Sequence, residues 1–119
     1  LAMHKKALRI FRKTVGPKTK DVGSALCNIS HVLADQGKYE EAIQSFEESL
    51  VVFRGALGDE HDQVAQTLYN IALCKKNAGD AEGAAECVRE SLRIYRKMGI
   101  SQGAAQKAAA LLERLEGRR

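Results

Sequence analysis

The sequence predicts an all-α fold, a solenoid of about six helices stacked as antiparallel hairpins, and three observations carry that prediction. Gly16, Gly37, Gly58, Gly79 and Gly99 stand at nearly equal intervals of 21, 21, 21 and 20 residues. The intervening stretches show helical apolar spacing, and the chain's one proline, Pro17, sits just after the first of these glycines. A helix and its turn take about twenty residues, and a glycine just past a helix end adopts the left-handed conformation without a Cβ penalty. Third, the chain matches itself at a separation of 42 residues: Val22 with Val64, Leu26 with Leu68, Asn28 with Asn70, Ile29 with Ile71. The match goes on through Ala42 with Ala84, Ser49 with Ser91, Leu50 with Leu92, and Phe53 with Tyr95. It also runs backwards, Leu50 to Leu8 and Phe53 to Phe11, so the repeating unit is a pair of helices.

The first helix is expected over about 2–15, with Leu8, Phe11 and Val15 at i, i+3, i+4 spacing; Gly16 ends it and Pro17 prevents its resumption. The second spans roughly 21–36, with Asp21 as N-cap and Leu26, Ile29 and Leu33 as its stripe. The third, about 39–57, places Ala42, Phe46, Ser49, Leu50 and Phe53 on one face. The fourth starts near Asp62 and repeats the second with Val64, Leu68 and Ile71. Asp80 caps the fifth, which carries Ala84, Val88, Ser91, Leu92 and Tyr95 to its end at Gly99. Ser101 is the expected cap of a sixth helix whose stripe is Ala105, Ala108, Leu112 and Leu115. The organisation is thus one array: 1–16 the second helix of a partial repeat, 21–58 and 62–99 full repeats, and 101–117 a capping or degenerate helix. Because the chain opens in the second helix of a unit, further repeats are expected on its N-terminal side.

Apolar runs are interrupted too often for a membrane span. Cys27, Cys74 and Cys87 form no Cys-x-x-Cys pair and read as reduced thiols, from which a cytoplasmic setting is expected. The net charge is +4, with Lys5, Lys6, Arg9, Arg12 and Lys13 crowding the start without an acid. That cluster is either the solvated face of one helix or a patch for an acidic protein, a membrane or RNA.

Leu26-x-x-Ile29, Gly37-x-Tyr39, Ala42, Phe46 and Ser49-Leu50 resemble the tetratricopeptide pattern, and Leu68-x-x-Ile71, Gly79, Ala84, Val88 and Ser91-Leu92 repeat it. Ala81 stands where the first unit has Tyr39, and Val88 is smaller than Phe46, so looser packing is expected in the second unit. The 42-residue period is longer than the common unit, and the stretch Leu57-Gly58-Asp59-Glu60-His61 followed by Val64-Ala65-Gln66-Thr67-Leu68-Tyr69-Asn70-Ile71-Ala72 is similar to the kinesin light chain form. Asp62 stands where that form has proline.

The resemblance implies a right-handed solenoid and a non-catalytic scaffold that binds a peptide or partner helix in its concave groove. By position, the first unit would line that groove with Ser24, Cys27, Asn28, His31, Ala34 and Asp35. The second would supply Gln66, Tyr69, Asn70, Leu73, Lys76 and Asn77. Asn28 and Asn70 are the sharpest candidates, since a carboxamide both donates to and accepts from an extended backbone; alternatively they bond neighbouring helices. Lys76 would favour acidic ligands. Two other readings stand beside it: an RNA-binding helical repeat, for which Tyr69 is the single stacking candidate, and a regulatory module of a larger enzyme.

Cys27 and His31, at i and i+4, share a helix face and could form a nucleophile with its base or half a metal site. A zinc site needs three or four ligands, and His4 and His61 are far away in sequence, so no metal, cofactor or catalytic role is expected.

Overall fold

The computed structural model describes residues 20–117. The helix expected over 2–15, its end at Gly16–Pro17 and the basic cluster at the start lie outside the described residues. Five helices make up the described part: α1 (Lys20–Asp35), α2 (Tyr39–Leu57), α3 (Asp62–Asn77), α4 (Ala81–Lys97) and α5 (Ala104–Leu115). The chain is an all-α solenoid of helical hairpins. α1 packs on α2 and α3 on α4 as hairpins; α2 also packs on α3, and α4 on α5.

The two hairpin turns close in the same way. At the first, Lys38 N–H donates to Leu33 O at 2.9 Å and Gly37 N–H to Ala34 O at 2.9 Å; at the second, Asp80 N–H donates to Lys75 O at 2.7 Å and Gly79 N–H to Lys76 O at 3.1 Å. Such paired bonds require a left-handed residue, and Gly37 (φ 78°) and Gly79 (φ 93°) provide it. Gly58 departs from the expected pattern. Its φ of 95° is joined to a ψ of 163°, so the chain leaves α2 extended towards the 58–61 loop instead of turning back.

Two further expectations are corrected at helix starts. Asp21 lies inside the first turn of α1 and is not its cap. Ser101 does not cap the last helix, which begins after Gly103 with no side-chain cap at all. Asp80 does cap α4, its carboxylate accepting from Gly83 N–H at 2.9 Å. The cap of α3 is His61, whose Nδ1 accepts from Gln63 N–H at 3.1 Å.

The apolar stripes named above form the core. Leu26, Ile29, Leu33, Phe46 and Phe53 are buried in the first unit; Val64, Leu68, Ile71, Val88 and Tyr95 are buried in the second. Small residues sit where helices cross closely. A Cβ on Gly23 would come 2.7 Å from the Phe53 ring, so the ring fills the space a side chain would need. Ser49 Oγ donates to Gly23 O at 3.0 Å, and its repeat-mate Ser91 Oγ donates to Ala65 O at 2.8 Å. The crossing therefore combines close packing with a bond that satisfies each buried hydroxyl. In α5 the third core residue is Leu111, not Leu112; Leu112 and Leu115 are half-buried.

A candidate interaction groove on the α1–α3–α5 face

α1 and α3 are the first helices of the two hairpins, and α5 follows the second hairpin. A cavity of about 400 Å³ lies between α1 and α3. His31, Ala34 and Asp35 line it from α1, and Asn70, Leu73, Cys74 and Asn77 from α3. Tyr39 and Phe46 of α2 complete the wall. The His31 ring stands edge-on to Phe46, with centroids 5.2 Å apart and planes at 84°.

A second cavity of about 280 Å³ lies between α3 and α5, lined by Gln66, Tyr69, Asn70, Ala104 and Lys107, with Tyr95 reaching in from α4. Asn70 borders both cavities and so marks where they meet. The Tyr95 hydroxyl is buried without a hydrogen-bond partner. Burial, with smaller contributions from Asp62 and Tyr69, raises its pKa.

Of the residues expected in a groove, His31, Ala34, Asp35, Asn70, Leu73 and Asn77 thus gather around the first cavity. Gln66, Tyr69 and Asn70 gather around the second. Ser24, Cys27, Asn28 and Lys76 line neither. Asn28 and Lys76 are exposed on their helices, and Ser24 is half-buried. Sequence reasoning missed Tyr39, Phe46, Tyr95 and Lys107. Tyr39, Phe46 and Tyr95 belong to second helices, and only the packing shows that they border cavities between first helices.

The Cys27 thiol sits 3.0 Å from Ser49 Oγ, while the ring of His31 packs on Phe46. Burial pushes the thiol pKa up, against smaller opposing bonds from Ser49 and Thr67. That suppresses the thiolate a nucleophile needs. Cys74 and Cys87 are shifted up for the same chief reason. Among the described residues no group of three or more His, Cys, Asp or Glu could hold a metal ion, and no helix is long and apolar enough to cross a membrane.

Around α4 the surface is ionic. Arg93 pairs with Glu90 at 2.6 Å and with Glu60 at 3.2 Å, and Lys97 reaches Glu60 at 3.4 Å. These contacts tie the 58–61 loop to α4. Arg93 holds both carboxyls below the usual range, helped at Glu60 by Lys97. Arg89 pairs with Glu116 at 2.8 Å and joins α4 to the end of α5.

Comparison with known proteins agrees with this architecture. The family profile described as tetratricopeptide repeat matches residues 1–50 and, overlapping, 21–97. No curated protein matches the chain in sequence. Among solved structures it is similar to the crystal structure of BtubC (BKLC) from P. vanneervenii, with a TM-score of 0.75 at 21% identity. That match covers 96% of this chain and 50% of the other, so the chain spans half the length of the structure it resembles. At that identity the likeness is one of fold.

Proposed function

Because the chain belongs to the tetratricopeptide repeat family, whose arrays are generally protein-interaction scaffolds, we propose that it binds an extended segment of a protein partner along the α1–α3–α5 face. The observation that carries this reading is the position of Asn70 at the junction of two adjoining cavities. A half-buried carboxamide there can donate to and accept from a ligand backbone, while the cavities on either side take alternate side chains. Asn28, its repeat-mate, extends the row on α1 and stands exposed. His31, Leu73 and Tyr69 then set side-chain preference beside Gln66 and Asn77, with Ser24, Cys27 and Lys76 at the margins.

The mechanism is equilibrium binding without turnover. The up-shifted Cys27 thiol and its bond to Ser49 favour a non-catalytic role. The 42-residue period supports the kinesin-light-chain-like form, and the three unpaired thiols are in keeping with a cytoplasmic setting.

A peptide array probed with the folded chain, beside an Asn28→Ala, Asn70→Ala double variant of equal helicity, tests the reading. Binding that the double variant loses supports the groove. Binding that survives moves the site to another face, and no binding by either protein defeats the proposal.

A further inference from the structure

The first cavity has a definite electrostatic sign. Asp35 is its one charged lining side chain (the His31 ring aside), and it makes no ion pair among the described residues. Asp35 also lies in the last turn of α1, and no base stands in that turn. The other four described helices each carry one or more: Arg54 in α2, Lys75 and Lys76 in α3, Arg96 and Lys97 in α4, Arg114 in α5. A helix C-terminus carries partial negative charge that bases in the last turn normally offset. At α1 the turn's N–H groups bond the last carbonyls, but no base stands in the last turn and an acid does. Ala34 and Asp35 at the end of the helix line the 400 Å³ cavity, where the half-buried Tyr39 offers aromatic surface and Phe46 is buried behind His31.

A carboxylate without an ion pair, a helix end without a base and the Tyr39 ring around one space are complementary to a cation on a flat or slender stem. We infer that the cavity between α1 and α3 receives an arginine or lysine side chain of the partner segment, with Asp35 as its counter-ion. This rests on the groove reading above and fixes the sign of one ligand position. It also separates two charges on the same face: Lys76, which the sequence singles out for acidic ligands, is not part of this cavity. The carboxamides of Asn70 and Asn77 can hold the backbone that delivers the side chain.

Two probes test this on the 119-residue chain. In the first, Nα-acetyl-arginine methylamide and Nα-acetyl-glutamate methylamide are titrated separately while backbone amides are followed by NMR. The arginine probe should shift the amides of Asp35 and Tyr39 saturably, the glutamate probe should not, and Asp35→Asn should abolish the response. In the second, a positional-scanning array of capped dodecapeptides is bound to the parent chain and to Asp35→Asn and Asp35→Lys variants. One array position should prefer arginine or lysine, and Asp35→Asn should weaken those peptides by about 3- to 10-fold, as a partly exposed ion pair with cation–π support allows. Asp35→Lys should turn the preference at that position to glutamate. Peptides that bind with no basic position, or whose basic position ignores Asp35, overturn this inference and leave the groove standing. Failure of every peptide and of the arginine probe overturns both.

Discussion

Tyr95→Phe should stabilise the chain, although it deletes a polar atom from a side chain that is only 2% exposed. The hydroxyl is buried with no partner, and a buried donor left unpaired costs about 1–3 kcal/mol. The adjoining 280 Å³ cavity is large enough for water to reach the far end of the ring and recover part of that cost. A net gain of about 1 kcal/mol is therefore expected, worth roughly 4 °C in Tm for a domain of this size. Phe53 is the internal control: it is the repeat-mate of Tyr95, is fully buried, and has no hydroxyl. The reciprocal Phe53→Tyr should cost about 1–3 kcal/mol. The assay is urea denaturation followed by far-UV circular dichroism, with m required to stay constant. The same hydroxyl predicts a pH effect. Its pKa is raised in the folded state, so its contribution is fully present below the unfolded value near 10 and is lost as pH rises through the folded value. Tyr95→Phe should remove that alkaline loss. A Tyr95→Phe protein that is less stable by 1 kcal/mol or more at unchanged m would show that the hydroxyl has a partner and refute the reasoning.

Gly23→Ala should cost about 1–3 kcal/mol from overpacking against Phe53, reduced by the better helix propensity of alanine. Combining it with Phe53→Leu should cost less than the two singles summed, as a double-mutant denaturation cycle will show. The depressed carboxyls of Glu60 and Glu90 contribute stability that is present above the unfolded glutamate value near 4.5 and is lost as pH falls through their folded values. Arg93→Ala should flatten that acid limb in thermal melts taken between pH 6 and 3, and added salt should do the same because the network is exposed. All three thiols are shifted up by burial, so at pH 7 in the native state Cys27, Cys74 and Cys87 should alkylate more slowly than free glutathione, and urea should abolish the difference.

Most of the fold is legible in the sequence because its signals are local and repeated. Leu26, Ile29 and Leu33 fall on one face by spacing alone, and Gly37 and Gly79 announce their turns by residue type. What escapes is whatever depends on contact between elements. Gly58 looks like the other glycines, yet its loop leads to a new hairpin and needs a different ψ. His61 reads as a loop residue until its Nδ1 is seen to cap α3. The face of α1 and α3 that bears the candidate groove is readable from the repeat register. Which of those residues border a cavity is not, because Tyr39, Phe46 and Tyr95 enter from second helices.

The last helix shows how one register error hides a consequence. At 42 residues beyond α3 its positions fit poorly, since Gln106 and Ala110, which would match Val64 and Leu68, are exposed. At 40 they fit: Ala105, Ala108 and Leu111 are buried where Ala65, Leu68 and Ile71 are buried. α4 is two residues shorter than α2, but the 98–103 loop is two longer than 58–61, so α5 still starts 42 residues after α3 and the two-residue shift lies in which of its residues face the core. α5 is therefore packed like the first helix of another unit, and the position of Asn70 falls on Ala110, which is exposed. On the groove reading, the row of carboxamides that begins with Asn28 and Asn70 stops there. Ala110→Asn should extend it. One added hydrogen bond is worth about 0.5–1.5 kcal/mol net, so peptides long enough to reach α5 should bind about 2- to 10-fold tighter. Peptides that end before α5 should be unaffected, and the exposed substitution should cost only about 0.5–0.7 kcal/mol of helix propensity. Fluorescence anisotropy with a short and a long version of one array-selected peptide makes the comparison. Equal affinities for the long peptide with and without Asn at position 110 would mean that the ligand backbone does not follow this face.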